Sequence, residues 1–140
     1  MKLLACLLLA AALPDDLVQN LANWLEQNLG RPYVWGATGH KSYDCSGFVW
    51  RMLTDNGVFL KRTTARKLYL ATDPATEPAF GTLVFFDDLK HVGILHDQRS
   101  FFHASSSQGT MRAPLAPYWA PKIVGFRRLP VEAPPQQPTP

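Results

Sequence analysis

An α+β fold, with N-terminal helices packed on one face of a central antiparallel sheet, follows from the order of two periodicities in this chain. Apolar residues recur at helical spacing up to about residue 70. From residue 82 onward, short β-branched and aromatic runs replace them. Helices first and strands afterwards give segregated layers rather than alternating β-α-β units. With 140 residues, 46% of them hydrophobic, there is material for one real core and no room for a second domain.

The elements follow in order. Met1-Lys2 precedes a short apolar run through Leu13, which Pro14-Asp15-Asp16 ends. Residues 1–14 thus read as an export leader, too short to span a bilayer and short even for a signal, so that the start codon is expected to lie upstream. The plainer alternative is a buried first helix. Leu3-Leu4-Ala5-Cys6 looks locally like a lipoprotein cleavage box but comes too early in the chain. Asp15 and Asp16 are suited to cap a helix running to about Leu29, with Leu17, Leu21, Trp24, Leu25 and Leu29 on one face and Gly30 as its stop.

Residues 31–39 form a loop punctuated by Pro32, Gly36 and Gly39. Asp44 caps a second helix that ends near Asn56 and Gly57, with Phe48, Val49, Met52 and Leu53 as its core stripe. A helical turn follows over 63–70, and 73–78 is a Pro-containing linker. Strands are expected at 82–86, 91–95, 101–105 and 123–127. The tail over 131–140, with Pro134, Pro135, Pro138 and Pro140, reads as extended and disordered. The folded domain is therefore expected over residues 15–130.

Net charge is +3, with 14 basic and 11 acidic residues and no dense basic run. That balance argues against nucleic acid as the main partner and is compatible with an anionic polymer surface. Loss of the leader would remove Cys6 and leave Cys45 as the single thiol of an exported protein. An unpaired cysteine in an oxidising compartment usually has a job, although the commonest fate of a free cysteine is a small buried hydrophobe. Asp44 and Ser46 flank Cys45 where core packing would prefer apolar residues. A thiol in the first turn of a helix meets backbone N–H groups and the positive end of the dipole, which favour thiolate.

Two histidines supply the base. If Gly93 pairs with His103, then His91 and His103 are diagonal cross-strand neighbours on one sheet face, roughly 7–8 Å apart. A slip of one residue would separate them, so an odd-numbered loop or a bulge is expected between the strands. Gly93 suits a place where another chain comes close. Cys45 would attack a carbonyl, His91 would take the thiol proton, and His103 would fix the His91 tautomer. A metal site from Cys45, His91, His96 and His103 has suitable ligand types but lacks short-spaced pairs, and His96 falls on the other strand face from His91.

The strings Pro32-Tyr33-Val34-Trp35-Gly36, Tyr43-Asp44-Cys45-Ser46-Gly47-Phe48, Gly81-Thr82-Leu83-Val84-Phe85-Phe86, His91-Val92-Gly93-Ile94 and Phe102-His103-Ala104-Ser105 occur in that order. Together they resemble the NlpC/P60 peptidases, papain-like cysteine hydrolases of bacterial cell walls, over about Leu17 to Leu129. The resemblance implies the papain-like fold, Cys45 as nucleophile, His91 as base and His103 as orienting residue. It implies that Tyr33 stabilises the oxyanion or orients the site. Asp44 and Ser46 would hold a stem-peptide amino group, with Trp35 and Arg62 as further substrate contacts. The implied cut lies between γ-D-glutamyl and a diamino acid in peptidoglycan stem peptides, without cofactor or metal, by a monomer in the periplasm, cell envelope or medium. A Cys-His amidase or acyltransferase and a non-catalytic wall-binding module are the alternatives. Ala37, Lys61, Lys67, Phe80 and Thr82 depart from the family pattern and bear on substrate-side detail.

Overall fold

A computed structural model describes residues 13–131, so the leader and most of the Pro-rich tail expected above lie outside the described residues. Among the described residues three helices precede the sheet: α1 (Asp15–Gln27), α2 (Cys45–Asp55) and α3 (Ala65–Ala71). Five strands follow: β1 (Leu83–Phe86), β2 (His91–Leu95), β3 (Ser100–Ser105), β4 (Gly109–Pro114) and β5 (Ile123–Arg127). A 3₁₀ turn at Ala120–Lys122 leads into β5. Neighbouring strands run antiparallel in the order β4-β3-β2-β1-β5.

The expected helix-to-sheet layering is present. Leu21, Trp24 and Leu25 of α1 and Phe48, Val49, Met52 and Leu53 of α2 pack with Leu83, Phe85, Val92, Ile94, Phe102 and Ala104 of the sheet. Trp24, Tyr43 and Phe48 meet edge-on or tilted, with ring centroids 5.3–5.9 Å apart. That apolar layer holds α2 rigidly against the middle strands. No helix among the described residues is long and apolar enough to cross a membrane.

Three expectations need correction. Asp15 and Asp16 do not cap α1. Pro14 occupies the cap position without a side-chain bond, and both aspartates stand in the first turn, where the dipole still favours them. The helix ends at Gln27 rather than Leu29; the Asn28 side chain folds back onto the Trp24 carbonyl, and Gly30, in the left-handed region at φ 80°, turns the chain away. Strand β4 was not foreseen. Gly109-Thr110-Met111-Arg112-Ala113-Pro114 holds a single β-branched residue, and as an edge strand it borrows its conformation from the ladder with β3.

The second sheet face is also covered. Val84, Phe86, Leu95 and Phe101 pack beneath Ala113 and Leu115, with Trp119 and Phe126 at the margin. The segment from Leu115 to Trp119 folds over that face, its turn closed by bonds from the Trp119 and Ala120 amides to the Leu115 carbonyl.

Candidate active site

Three elements meet at one cavity of about 1000 Å³: the start of α2, the start of β2 and the middle of β3. Cys45, His91 and His103 all line it, together with Tyr33 and Trp119.

The α2 start is fixed by its cap. One oxygen of Asp44, Oδ1, accepts from the Gly47 amide at 2.6 Å, and Oδ2 accepts from the Gly36 amide at 2.9 Å. Arg62 Nη2 donates to Oδ1 at 2.9 Å, while its Nη1 donates to Ser46 Oγ at 3.0 Å and to the Thr63 carbonyl. Gly47 is required here, because a Cβ would run into the Ala37 carbonyl oxygen and crowd Asp44. Two polar residues around a cysteine thus serve to clamp the helix end against the preceding loop. Cys45 follows the clamp as the first helical residue, buried yet on the cavity wall.

Register delivers the histidines. β2 and β3 pair Ile94 with Phe102 and Leu95 with Phe101, which extends to set Gly93 opposite His103. The His96 amide then bonds the Ser100 carbonyl around a three-residue tip, the odd-numbered loop that the sequence required. A Cβ on Gly93 would lie 2.7 Å from both Phe101 Cδ2 and the Phe102 carbonyl oxygen, so close approach explains this glycine. His91 Nε2 and His103 Nδ1 are 2.8 Å apart with the rings nearly perpendicular. His91 Nδ1 is left as the ring nitrogen able to take up a proton.

The sulfur lies beside the strand that carries His91, with Sγ 3.7 Å from the Lys90 carbonyl oxygen. Its ionisation differs from the sequence expectation. Burial, aided by the neighbouring Asp44 carboxylate, pushes the thiol pKa up, against smaller opposing effects from the Val92, Ser46 and Cys45 backbone N–H groups. Helix-start donors are therefore present, but desolvation outweighs them. Burial lowers the pKa of His91 to about 4, with Asp87 pulling weakly the other way. Burial and the adjacent His91 lower His103 to about 3. All three directions favour the uncharged forms, thiol and neutral imidazole. Tyr33 is raised by burial, then by Cys45 and Asp44, and so remains a protonated hydroxyl at neutral pH.

Other residues singled out in the sequence are placed differently. Asp44, Ser46 and Arg62 form the clamp behind Cys45 and are absent from the cavity wall. Trp35 is 86% exposed, two residues from Tyr33. His96 turns away to Asp97 and Ser100. Among the described residues no three His, Cys, Asp or Glu side chains converge on a point that could hold a metal. Sequence reading missed Trp119, which stacks on His91 with centroids 5.0 Å apart and planes 20° apart. Its only signal was an aromatic pair, Tyr118-Trp119, enclosed by Pro117 and Pro121.

Comparison with known proteins gives a consistent picture. Residues 30–128 match the NlpC/P60 family. The chain is 33% identical over 129 residues to the probable endopeptidase NlpC of Escherichia coli, covering 85% of this chain and 84% of that protein. It is 31% identical over 116 residues to the probable peptidoglycan endopeptidase LytE of Bacillus subtilis, where the match takes in 80% of this chain but only 34% of the relative's length. A crystal structure of a lipoprotein-like NLP/P60 family protein from Staphylococcus aureus superposes with a TM-score of 0.76 at 29% identity, covering 86% of this chain and 43% of that one.

Proposed function

The chain belongs to the NlpC/P60 family, and from that premise we propose that it is a cysteine endopeptidase cutting peptidoglycan stem peptides between γ-D-glutamyl and a diamino acid. The observation that carries this reading is the opening of the Cys45 thiol and the bonded His91–His103 pair onto one cavity. Relatives named as endopeptidases support the substrate class.

The chemistry runs as two acyl transfers. His91, its Nε2–H donated to His103 Nδ1, presents the Nδ1 lone pair to the thiol. Cys45 Sγ bonds to the scissile carbonyl carbon as its proton passes to His91 Nδ1. Because the thiol is raised and the imidazole lowered, this transfer is coupled to S–C bond formation rather than completed beforehand. The Cys45 backbone N–H and the Tyr33 hydroxyl are the donors for the developing oxyanion. Collapse breaks the C–N bond, and the proton on His91 leaves with the amine. Water then attacks the thioester, giving its proton to His91, and the released thiolate takes that proton back.

Asp44, Ser46 and Arg62 hold the α2 start that carries Cys45 rather than reaching the substrate themselves, and Trp35 offers an exposed ring beside the Tyr33 loop. The catalytic domain spans residues 15–130 and acts outside the cytoplasm as a monomer. The test is digestion of purified peptidoglycan followed by mass spectrometry of the soluble fragments. The wild type is expected to expose a new amino group on the diamino acid, and Cys45→Ala to expose none. Equal cutting by both proteins overturns the nucleophile assignment. Binding without cutting by the wild type would favour a wall-binding module, and loss of the entire peptide from the glycan would favour an amidase.

A further inference from the structure

We propose that Trp119 is a positioning residue for His91: its indole holds the imidazole plane against the His103 bond and keeps water off the pair. The inference deepens the catalytic reading above and rests on it, but its geometry stands apart from any substrate. His91 has two side-chain rotations to restrain. The Nε2 bond to His103 fixes where one edge of the ring points. It leaves the ring free to swing about that bond, which would change where Nδ1 faces in the cavity it shares with Cys45. Trp119 closes that freedom by lying nearly parallel to His91, with centroids 5.0 Å apart and a 20° interplanar angle. The same indole meets His103 nearly edge-on at 5.2 Å and 76°, so one side chain contacts both members of the bonded pair.

The indole is itself braced. Phe86 lies 4.9 Å away and Phe101 5.7 Å away, both from the second core layer. The Trp119 amide bonds the Leu115 carbonyl, which ties the whole segment down over that layer. Phe86 also touches His91 at 5.9 Å and 40°, a looser contact than the indole stack. Trp119 is half-buried and on the cavity wall, so it is the part of this packing that stands between His91 and solvent.

A packing role alone would affect folding and leave the titration of His91 unchanged. The titratable groups sharing the cavity with His91 are His103, Cys45, Tyr33, Asp87, Asp88, Lys90 and Tyr118. None is altered by substitution at 119, so a shift in the His91 titration reports water entry. Imidazole NMR titration of the full chain is therefore the primary readout, with Trp119→Phe keeping a smaller ring face and Trp119→Met filling space without one. The wild-type His91 is expected to titrate near pH 4. Removal of the shield should raise that value by about one unit in Trp119→Met and roughly half as much in Trp119→Phe, towards the ordinary imidazole range. With peptidoglycan fragments, kcat should fall about tenfold or more in Trp119→Met with KM within about twofold, because binding is kept and orientation lost.

Circular dichroism identifies variants that fold; should Trp119→Met fail to fold, Trp119→Phe decides through its half-unit shift. An unshifted His91 titration in a folded variant overturns the proposal. An inactive wild type whose His91 still shifts on substitution would sink the peptidase reading while leaving the positioning role intact.

Discussion

Two polar centres lie on either side of Cys45, and they handle charge in opposite ways. Behind the thiol, Asp44 is ion-paired to Arg62 and saturated by the Gly47 and Gly36 amides. In front, His91 and His103 share one hydrogen bond, the first half-buried and the second buried, and both are pushed towards the uncharged form. The first centre is a charge held in place, while the second holds a mobile proton between weakly basic rings. The difference teaches where rigidity and reactivity reside. Full satisfaction of the Asp44 carboxylate fixes the helix start, and under-solvated imidazoles leave a proton site that responds to the substrate.

Substitutions on the two sides should therefore fail differently. The largest effect is expected from Cys45→Ala, which should reduce peptidoglycan cleavage to background while shifting the melting temperature by no more than about 3 °C. Residual cutting would break the contrast at its centre. Next, His91→Ala should lower kcat by about 10³-fold or more, and His103→Ala by about 10²-fold with recovery in His103→Asn, measured by steady-state kinetics on a defined stem peptide. Asp44→Ala acts on the other side and should appear first as instability. It loses a helix cap worth about 1 kcal/mol and strands Arg62, for a total of roughly 2–4 kcal/mol in chemical denaturation.

A smaller effect concerns acid. His91 and His103 have folded pKa values of about 4 and about 3, below the ordinary value near 6.5. Between those limits the unfolded chain binds more protons than the folded one, so stability is full above about pH 6.5 and falls as pH drops towards 4. Melting curves from pH 7 to 4 should show this slope, and His91→Gln with His103→Gln should flatten it. The smallest expected change is at Asp87, whose charge raises His91. Asp87→Asn should lower the His91 titration slightly, and a rise would reverse the assigned sign.

The two centres were also unequally legible. Asp44-Cys45-Ser46-Gly47 identified a capped helix with a thiol in its first turn, because capping is local chemistry between residues three apart. The pairing of His91 with His103 was readable from strand parity, which needs only an odd loop. The ionisation of Cys45 was not readable, because desolvation depends on the Lys90–Val92 strand closing over the sulfur. Trp119 was hidden for a similar reason. Its role comes from a segment that folds back over the sheet after β4, itself a strand defined by its neighbour rather than by its own sequence.

The central claim is that Cys45 rests as a thiol beside neutral imidazoles and loses its proton only in reaction. The rate of Cys45 alkylation by iodoacetamide, followed from pH 4 to 10 by mass spectrometry, tests it most directly. The account predicts a slow rate at neutral pH that climbs through an inflection above the ordinary thiol value near 9. A fast plateau beginning below pH 6 would reveal a standing thiolate–imidazolium pair and contradict it.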